Sequence, residues 1–399
     1  MRLRAHWAPA ALLLIVPLIG TTTQATADTG SNGVAVRPSA RAVPDQYIVT
    51  LRPEVSPDTV LRQFGLRAMY TYGRVARGFA ATLTPTQLDQ VRAFPGVRSV
   101  EENGEVAVVP TASRTRTTGL RAAAASWGQD RIDQRQLPLD KSFTTTATGD
   151  GVTVYVVDTG IDAGHSEFGG RAAAGFDAIG DGRDGQDCNG HGTHVAGTVG
   201  GATYGVATSV SLVNVRVLDC EGRGTWAGIL AGFDWVVEDA RNSGRPAVLN
   251  SSLGGAKSQA VDDGINAVAD AGVLPVVAAG NDNIDACDIS PAGAERVVTV
   301  GASDSLDRQT SFSNWGECLS LYAPGEGIVS AKLGGGSVAL DGTSMASPHV
   351  AGVAALHREA DPAASPATLA SRLAEESTPD ALSYLSPGSP DRLLYTGGL

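Results

Sequence analysis

The sequence predicts an α/β protein built on a doubly wound parallel sheet and preceded by a small α+β domain. Three observations carry this expectation. From Trp127 onward, runs with few polar residues, Val152–Val157 and Val273–Ala278 above all, alternate with helical stretches such as Trp226–Ala240 and Val261–Asp270. Buried strands joined by helices imply a parallel sheet covered on both faces. Upstream of Trp127, shorter strand and helix patterns alternate twice. The chain has 399 residues, of which 42% are hydrophobic, which suits two or three globular domains.

Taken in order, the chain opens with Arg2 and Arg4, an apolar run from Ala10 to Ile19 and the small-residue pattern Ala25-Thr26-Ala27. This reads as a signal peptide over 1–27, and the run holds Pro17, ends at Gly20 and is too short to span a membrane. Residues 28–44 are small and polar without a period and are expected to be a flexible leader, with order beginning at Pro44. The α+β domain covers 45–109. Tyr47–Leu51 is strand-like, a helix opens at Ser56-Pro57 and runs to Phe64, Phe79–Leu83 is a second strand, and a second helix opens at Thr84-Pro85. Val97–Val100 and Val106–Val109 close the domain as strands. Residues 110–126 are poor in large apolar side chains and read as a cleavable linker.

The main domain covers 127–399. Its strands are expected at Val152–Val157, Leu212–Leu218, Ala247–Leu249 and Val273–Ala278, and its two long helices end at Gly244 and Gly272. A helix over 365–375 is assigned to packing alone. In such sheets ligands gather at the carboxyl ends of the strands.

Charge is uneven along the chain. From 122 onward there are sixteen basic and thirty-four acidic residues, against a net charge of −12 for the whole. An acidic body argues against nucleic acid as a partner, and no later segment is apolar enough for a membrane. Four cysteines, Cys188, Cys220, Cys287 and Cys318, allow three disulfide pairings in an exported chain. A four-cysteine zinc site would need a short C-x2-4-C spacing, and none is present.

Three segments place reactive side chains where that strand-end rule predicts. In Val154-Tyr155-Val156-Val157-Asp158-Thr159-Gly160 the only carboxylate of an apolar strand stands at its carboxyl end. Asn189-Gly190-His191-Gly192-Thr193-His194 opens a helix with a histidine, and Gly342-Thr343-Ser344-Met345-Ala346-Ser347-Pro348 sets a serine before a helix, with Pro348 expected in its first turn. A serine hydroxyl becomes a nucleophile when an imidazole takes its proton and a buried carboxylate holds that imidazole. A fourth segment, Val276-Val277-Ala278-Ala279-Gly280-Asn281, ends a strand in an amide able to donate to a developing oxyanion beside the Ser344 N–H. His191 and His194 are three apart with no glutamate between them, so a zinc pair is not expected, and Ser344 lacks the second glycine of an esterase elbow. Asn250-Ser251-Ser252 matches a glycosylation acceptor but ends a strand beside the cleft.

Asp158-Thr159-Gly160, His191-Gly192-Thr193-His194 and Gly342-Thr343-Ser344-Met345-Ala346 resemble the three signature motifs of subtilisin-like serine proteases, in that family's Asp, His, Ser order. Trp127-Gly128-Gln129-Asp130-Arg131-Ile132-Asp133 and Asp187-Cys188-Asn189-Gly190-His191 resemble the proteinase K branch, aqualysin-like enzymes in particular. The resemblance implies a secreted endopeptidase with Asn281 as oxyanion donor. Substrate would lie extended between Gly222-Arg223-Gly224 and Ser252-Leu253-Gly254, with Ala278, Ala279 and Gly280 walling a pocket for apolar or aromatic side chains. It also implies the local disulfide pairs, 188 with 220 and 287 with 318. Residues 45–109 resemble the family's ferredoxin-like prosegment, which aids folding and then blocks the cleft, so the partners expected are protein or peptide substrates and the chain's own propeptide, on a monomer. Calcium is the implied cofactor, with no organic one. Asp130, Asp133, Gln134 and Asp140 match one site. A second would use the carbonyl of Val297 and a carboxylate at position 320, where this chain has Ser320, and Asp181, Asp184 and Asp187 form a third acidic cluster. The rival reading from another class is a catalytically silent, subtilisin-shaped binding protein.

Overall fold

The computed structural model describes residues 33–108 and 126–399. The expected signal peptide and all of the expected linker but Ser126 lie outside the described residues.

Residues 33–108 build a sheet backed by two helices. The elements are β1 (Val36–Arg37), β2 (Ala42–Leu51), α1 (Pro57–Phe64), β3 (Ala68–Tyr72), β4 (Gly78–Thr82), α2 (Pro85–Ala93) and β5 (Val97–Ala107), with strands in the order β1-β5-β2-β4-β3. Both helices begin with proline, α1 stops at Gly65 in the left-handed region, and Thr84 and Gln87 form a capping box on α2. Strand β5 runs unbroken from the first expected segment into the second, ending at Ala107, because its polar middle pairs with β2, Glu101 opposite Ile48 and Glu102 opposite Tyr47; Val109 lies outside the described residues. The leader expected to be flexible up to Pro44 instead carries β1, which pairs in parallel with Val100–Glu101. Val34 and Val36 explain this: they pack on the domain's own core, so a segment of polar composition still covers the outer edge of β5.

The main domain begins with α3 (Trp127–Ile132), followed by β6 (Thr153–Asp158), β7 (Ala172–Asp177), α4 (His191–Gly200), β8 (Ser211–Arg216), β9 (Arg223–Thr225) and α5 (Trp226–Ser243). Then come β10 (Ala247–Ser251), β11 (Gly255–Ala256), α6 (Gln259–Asp270), β12 (Leu274–Ala278), β13 (Ile289–Ser290), β14 (Val298–Ser303) and β15 (Leu321–Pro324). The hairpin β16 (Ile328–Ala331) and β17 (Ser337–Leu340) precedes α7 (Thr343–Ala360), α8 (Pro366–Glu376), β18 (Thr378–Pro379) and β19 (Arg392–Leu393). The large sheet has the order β18-β19-β15-β14-β12-β10-β6-β8-β7 and is parallel except where β18 meets β19. From β6 the chain moves to one side for β7 and β8 and then to the other for β10, β12 and β14. The order therefore reverses at β6 and β10, the place where such sheets bind ligands.

Burial follows the pleat. Val154 and Val156 face a core with α4, α7 and α8, while Tyr155 and Val157 face the core of α5 and α6. The N-terminal sheet is likewise two-faced: Val49, Phe79, Ala81 and Val100 pack under α1 and α2, whereas Ile48, Tyr72 and Ala80 join the α5–α6 core.

Candidate active site

Asp158 closes β6 and is fully buried; His191 is the first residue of α4. The His191 Nδ1–H donates to Asp158 Oδ1 at 2.7 Å. The helix start can come so close because Gly192 has no side chain: a Cβ there would stand 2.2 Å from the Gly160 carbonyl and 3.2 Å from Asp158. Burial lowers the basicity of His191, but the charge of Asp158, its hydrogen bond and then the charge of Asp187 outweigh that, and the pKa is raised above its ordinary 6.5. His191 Nε2 is buried with no partner among the described residues. It is the nitrogen open to a nucleophile.

Ser344 is the second residue of α7. Its hydroxyl donates to the Ser252 carbonyl at 3.1 Å, and the Ser252 hydroxyl donates to the Ser344 carbonyl at 2.9 Å. Ser252 follows β10, whose Ser251 is in register with Val157 on β6. Ser344 is thus held over the strand end beside that of Asp158, with its hydroxyl turned to Ser252 rather than to His191. Pro348 falls in the second turn of α7, not the first, since the helix already starts at Thr343. The ring has no N–H for the carbonyl four residues back, which leaves the Ser344 carbonyl to accept from Ser252. Asn281 follows β12 and Gly280. Its Oδ1 accepts from the Thr343 N–H and hydroxyl, both at 2.9 Å, which turns the amide NH2 away from Thr343. A hydroxyl, an imidazole held by a buried carboxylate and a free amide donor at the switch point of the sheet are a set suited to acyl transfer.

Comparison with known proteins shows the family. A family model described as the subtilase family matches residues 149–391, and one described as peptidase inhibitor I9 matches residues 46–108. The chain belongs to the subtilase family. An extracellular serine proteinase of a Thermus species is 47% identical over 87% of this chain and 82% of its own length. The alkaline serine exoprotease A of Vibrio alginolyticus is 41% identical over 94% of this chain and 71% of its own. A cold adapted subtilisin-like serine proteinase solved by crystallography is 48% identical, with a TM-score of 0.66, over 68% of this chain and 98% of that one. The resemblance read from the motifs is borne out: this is a subtilisin-like serine protease with an inhibitor-type domain ahead of it.

In this subtilase Gly222-Arg223-Gly224 and Ser252-Leu253-Gly254 border a cleft that already holds a strand. Glu105, Val106 and Ala107 of β5 pair antiparallel with Thr225, Gly224 and Arg223, and the Val108 N–H donates to the Gly222 carbonyl at 2.9 Å. Gly222 is required there, at φ 73°, with Val108 Cγ2 2.4 Å from where its Cβ would be. Ala278, Gly280, Ser252, Leu253, Gly254 and Ser344 line one cavity of about 470 Å³. Ala279 does not line it. Successive residues alternate, and its methyl packs with Ala286 and Tyr322. The motifs did not point to Ile289. Its Cδ1 lies 2.7 Å from a Cβ built on Gly280 and 3.7 Å from one on Gly254, between the two walls. Only the pairing of β13 with β11 brings it there, and no local signal announces that.

Both disulfides are the local pairs, Cys188–Cys220 and Cys287–Cys318. The first ties the loop before His191 to the approach of β9. His194 is buried, bonded through Nε2 to the Ile328 and Val338 carbonyls and pushed down to about 3 by burial, so it is a neutral packed residue. Asn250 is wholly buried and bonded to Ser252 and Ser347.

The first implied calcium set fits by its chemistry. Asp130, Asp133 and Asp140 crowd one loop, and burial raises the first two, with Asp140 adding to both. Gln134 reaches the same loop, its NH2 donating to the carbonyls of Gln136 and Pro138. Hard oxygens and three carboxylates met by backbone amides rather than by cationic side chains suit Ca2+. The carboxylates now turn to the Lys141, Thr144 and Ser142 amides. The second set does not fit: the Ser320 hydroxyl accepts from the Thr299 N–H, and the 950 Å³ cavity that Val297 and Ser320 share is lined by Arg296, Arg358 and Arg392. Nor is the third cluster a cation site, since Asp181 is paired with Arg216 and Asp187 is saturated by amides and hydroxyls.

Proposed function

We propose that the chain is exported as a precursor and matures into an endopeptidase acting through Ser344, His191, Asp158 and Asn281. The observation that carries this reading is the 2.7 Å bond from His191 to buried Asp158, which leaves His191 Nε2 open at the strand end next to Ser344.

In the reaction the Ser344 hydroxyl rotates from Ser252 to His191. Oγ attacks the substrate carbonyl while His191 Nε2 takes the proton, and the new oxyanion accepts from the Asn281 NH2 and the Ser344 N–H. His191 then protonates the leaving amine, the C–N bond breaks, and water repeats the sequence on the ester. Asp158 takes no part in the bond changes. Its part is to hold the ring and favour the imidazolium.

The N-terminal domain acts as inhibitor and folding aid, since β5 fills the edge that substrate would use. The edge takes a strand from within a chain, Glu105–Ala107, rather than a chain terminus, which favours endo- over exopeptidase action. The small walls at Ala278 and Gly280, floored by Ile289, suit apolar or aromatic side chains before the scissile bond. The printed name of one relative, an extracellular serine proteinase, and the two disulfides support export, and calcium at Asp130, Asp133, Gln134 and Asp140 would brace the start of the main domain of a monomer.

Secreted Ser344→Ala tests self-processing. It is expected to keep the N-terminal domain attached and to cut no peptide library. A product already cut within 110–126 without added protease would overturn that step, and residual peptidase activity would overturn the role of Ser344. The silent binding protein is favoured only if the unaltered secreted chain also fails to cut.

A further inference from the structure

Asp187 lies four residues before His191, is 6% exposed, and has no part in the reaction above beyond the effect of its charge on His191. Its Oδ1 accepts from the Asn189 N–H at 2.9 Å, the Gly190 N–H at 2.9 Å and the Thr159 hydroxyl at 3.0 Å. Its Oδ2 accepts from the Thr193 N–H at 3.0 Å and the Thr193 hydroxyl at 2.6 Å. Thr159 is the residue after Asp158, and its oxygen also accepts from the Gly192 N–H at 2.9 Å. Thr193 is likewise shared, its oxygen accepting from the Asp162 N–H at 3.0 Å. One carboxylate therefore binds the strand end that carries Asp158 and both flanks of His191.

We propose that Asp187 is a positioning residue for the peptidase reaction, the common strut that keeps the His191 ring on Asp158 and its open nitrogen aimed at Ser344. The proposal rests on the serine peptidase reading. The chain otherwise offers little to hold this register, because Gly190 and Gly192 flank the histidine and a bare glycine backbone leaves it conformationally free. The groups facing His191 are Asp158 from β6, Asp187 from the loop and neutral His194 one turn on, so the two carboxylates are the charges its imidazolium feels.

The test is steady-state kinetics on the mature enzyme, normalised by titration of reactive Ser344. Asp187→Asn should lower kcat about 10- to 100-fold, the scale of a misplacement near 1 Å, with KM almost unchanged. With one negative charge gone, the acid limb of kcat/KM should also move to lower pH. Thr159→Val removes the hydroxyl that links Asp187 to the Gly192 N–H but keeps the charge, so it should lower kcat without moving the limb, and Thr159→Ser should restore the rate. A titrated Asp187→Asn enzyme with normal kcat and an unmoved limb would overturn the proposal. If Asp187→Asn cannot be recovered, a Thr159→Val enzyme with normal kcat does so. Neither result touches the serine peptidase reading, which fails separately if Ser344 of the unaltered enzyme cannot be titrated.

Discussion

His191 must be neutral to accept a proton, and its surroundings set the pH at which it becomes so. The carboxylate of Asp158 holds the proton on the ring against the effect of burial, so the acid limb of kcat/KM is expected to have its midpoint above 6.5. Asp158→Asn should move that limb to lower pH and cut kcat by about 10⁴-fold, through loss of the correct tautomer. A pH–rate profile checks both. Asn281→Ala should lower kcat about 10²- to 10³-fold, a magnitude known for a subtilisin donor rather than read from this geometry. The reactive residues were legible because each stands alone against its background, a carboxylate on an apolar strand or a histidine and a serine among small residues. Asp187 was not, since in sequence it looks like one more acid in a run that suggests a cation, and only the fold supplies its five donors.

At the scale of elements, strands and helices with buried faces were readable, and exposed or irregular ones were not. Strand β7, Ala-Ala-Ala-Gly-Phe-Asp, lies at the sheet edge, half exposed and without β-branched residues, so nothing in its composition marks it. The pairing of cysteines needed the resemblance, because spacing alone left three choices. Each closed loop, with sequence separations of 32 and 31, should contribute roughly 3–4 kcal/mol in the chain-entropy view. Replacing Cys188 and Cys220 by serine in a Ser344→Ala background, which removes self-digestion, should lower Tm by about 10 °C in calorimetry. An unchanged Tm would mean that the loops are held by packing alone.

At the scale of the molecule, the two large sheets of the described residues meet through the helices α5 and α6. Glu101 of β5 accepts from the Ser258 hydroxyl and the Ala260 N–H at the start of α6, while Asp234 of α5 accepts from the Gly73, Arg74 and Val75 amides. Each domain thus satisfies polar ends of the other, and Glu101→Ala, by leaving two buried donors unpaired, should shorten the lag between secretion and activity about tenfold. If calcium occupies the Asp130–Asp140 loop, chelator should lower Tm by several degrees in the Ser344→Ala protein and by much less once Asp133 is changed to Asn. The domain order was legible from composition and period, but the docking was not, since it depends on residues distant in the chain.

The claim on which all of this turns is that Asp158 and His191 activate Ser344. Its most direct test is the rate at which a phosphonylating reagent labels Ser344, followed by mass spectrometry of the isolated peptide. Label should appear on Ser344 and form at least about 10³-fold more slowly in His191→Ala. Equal rates in the two proteins, or label on another residue, would contradict the account.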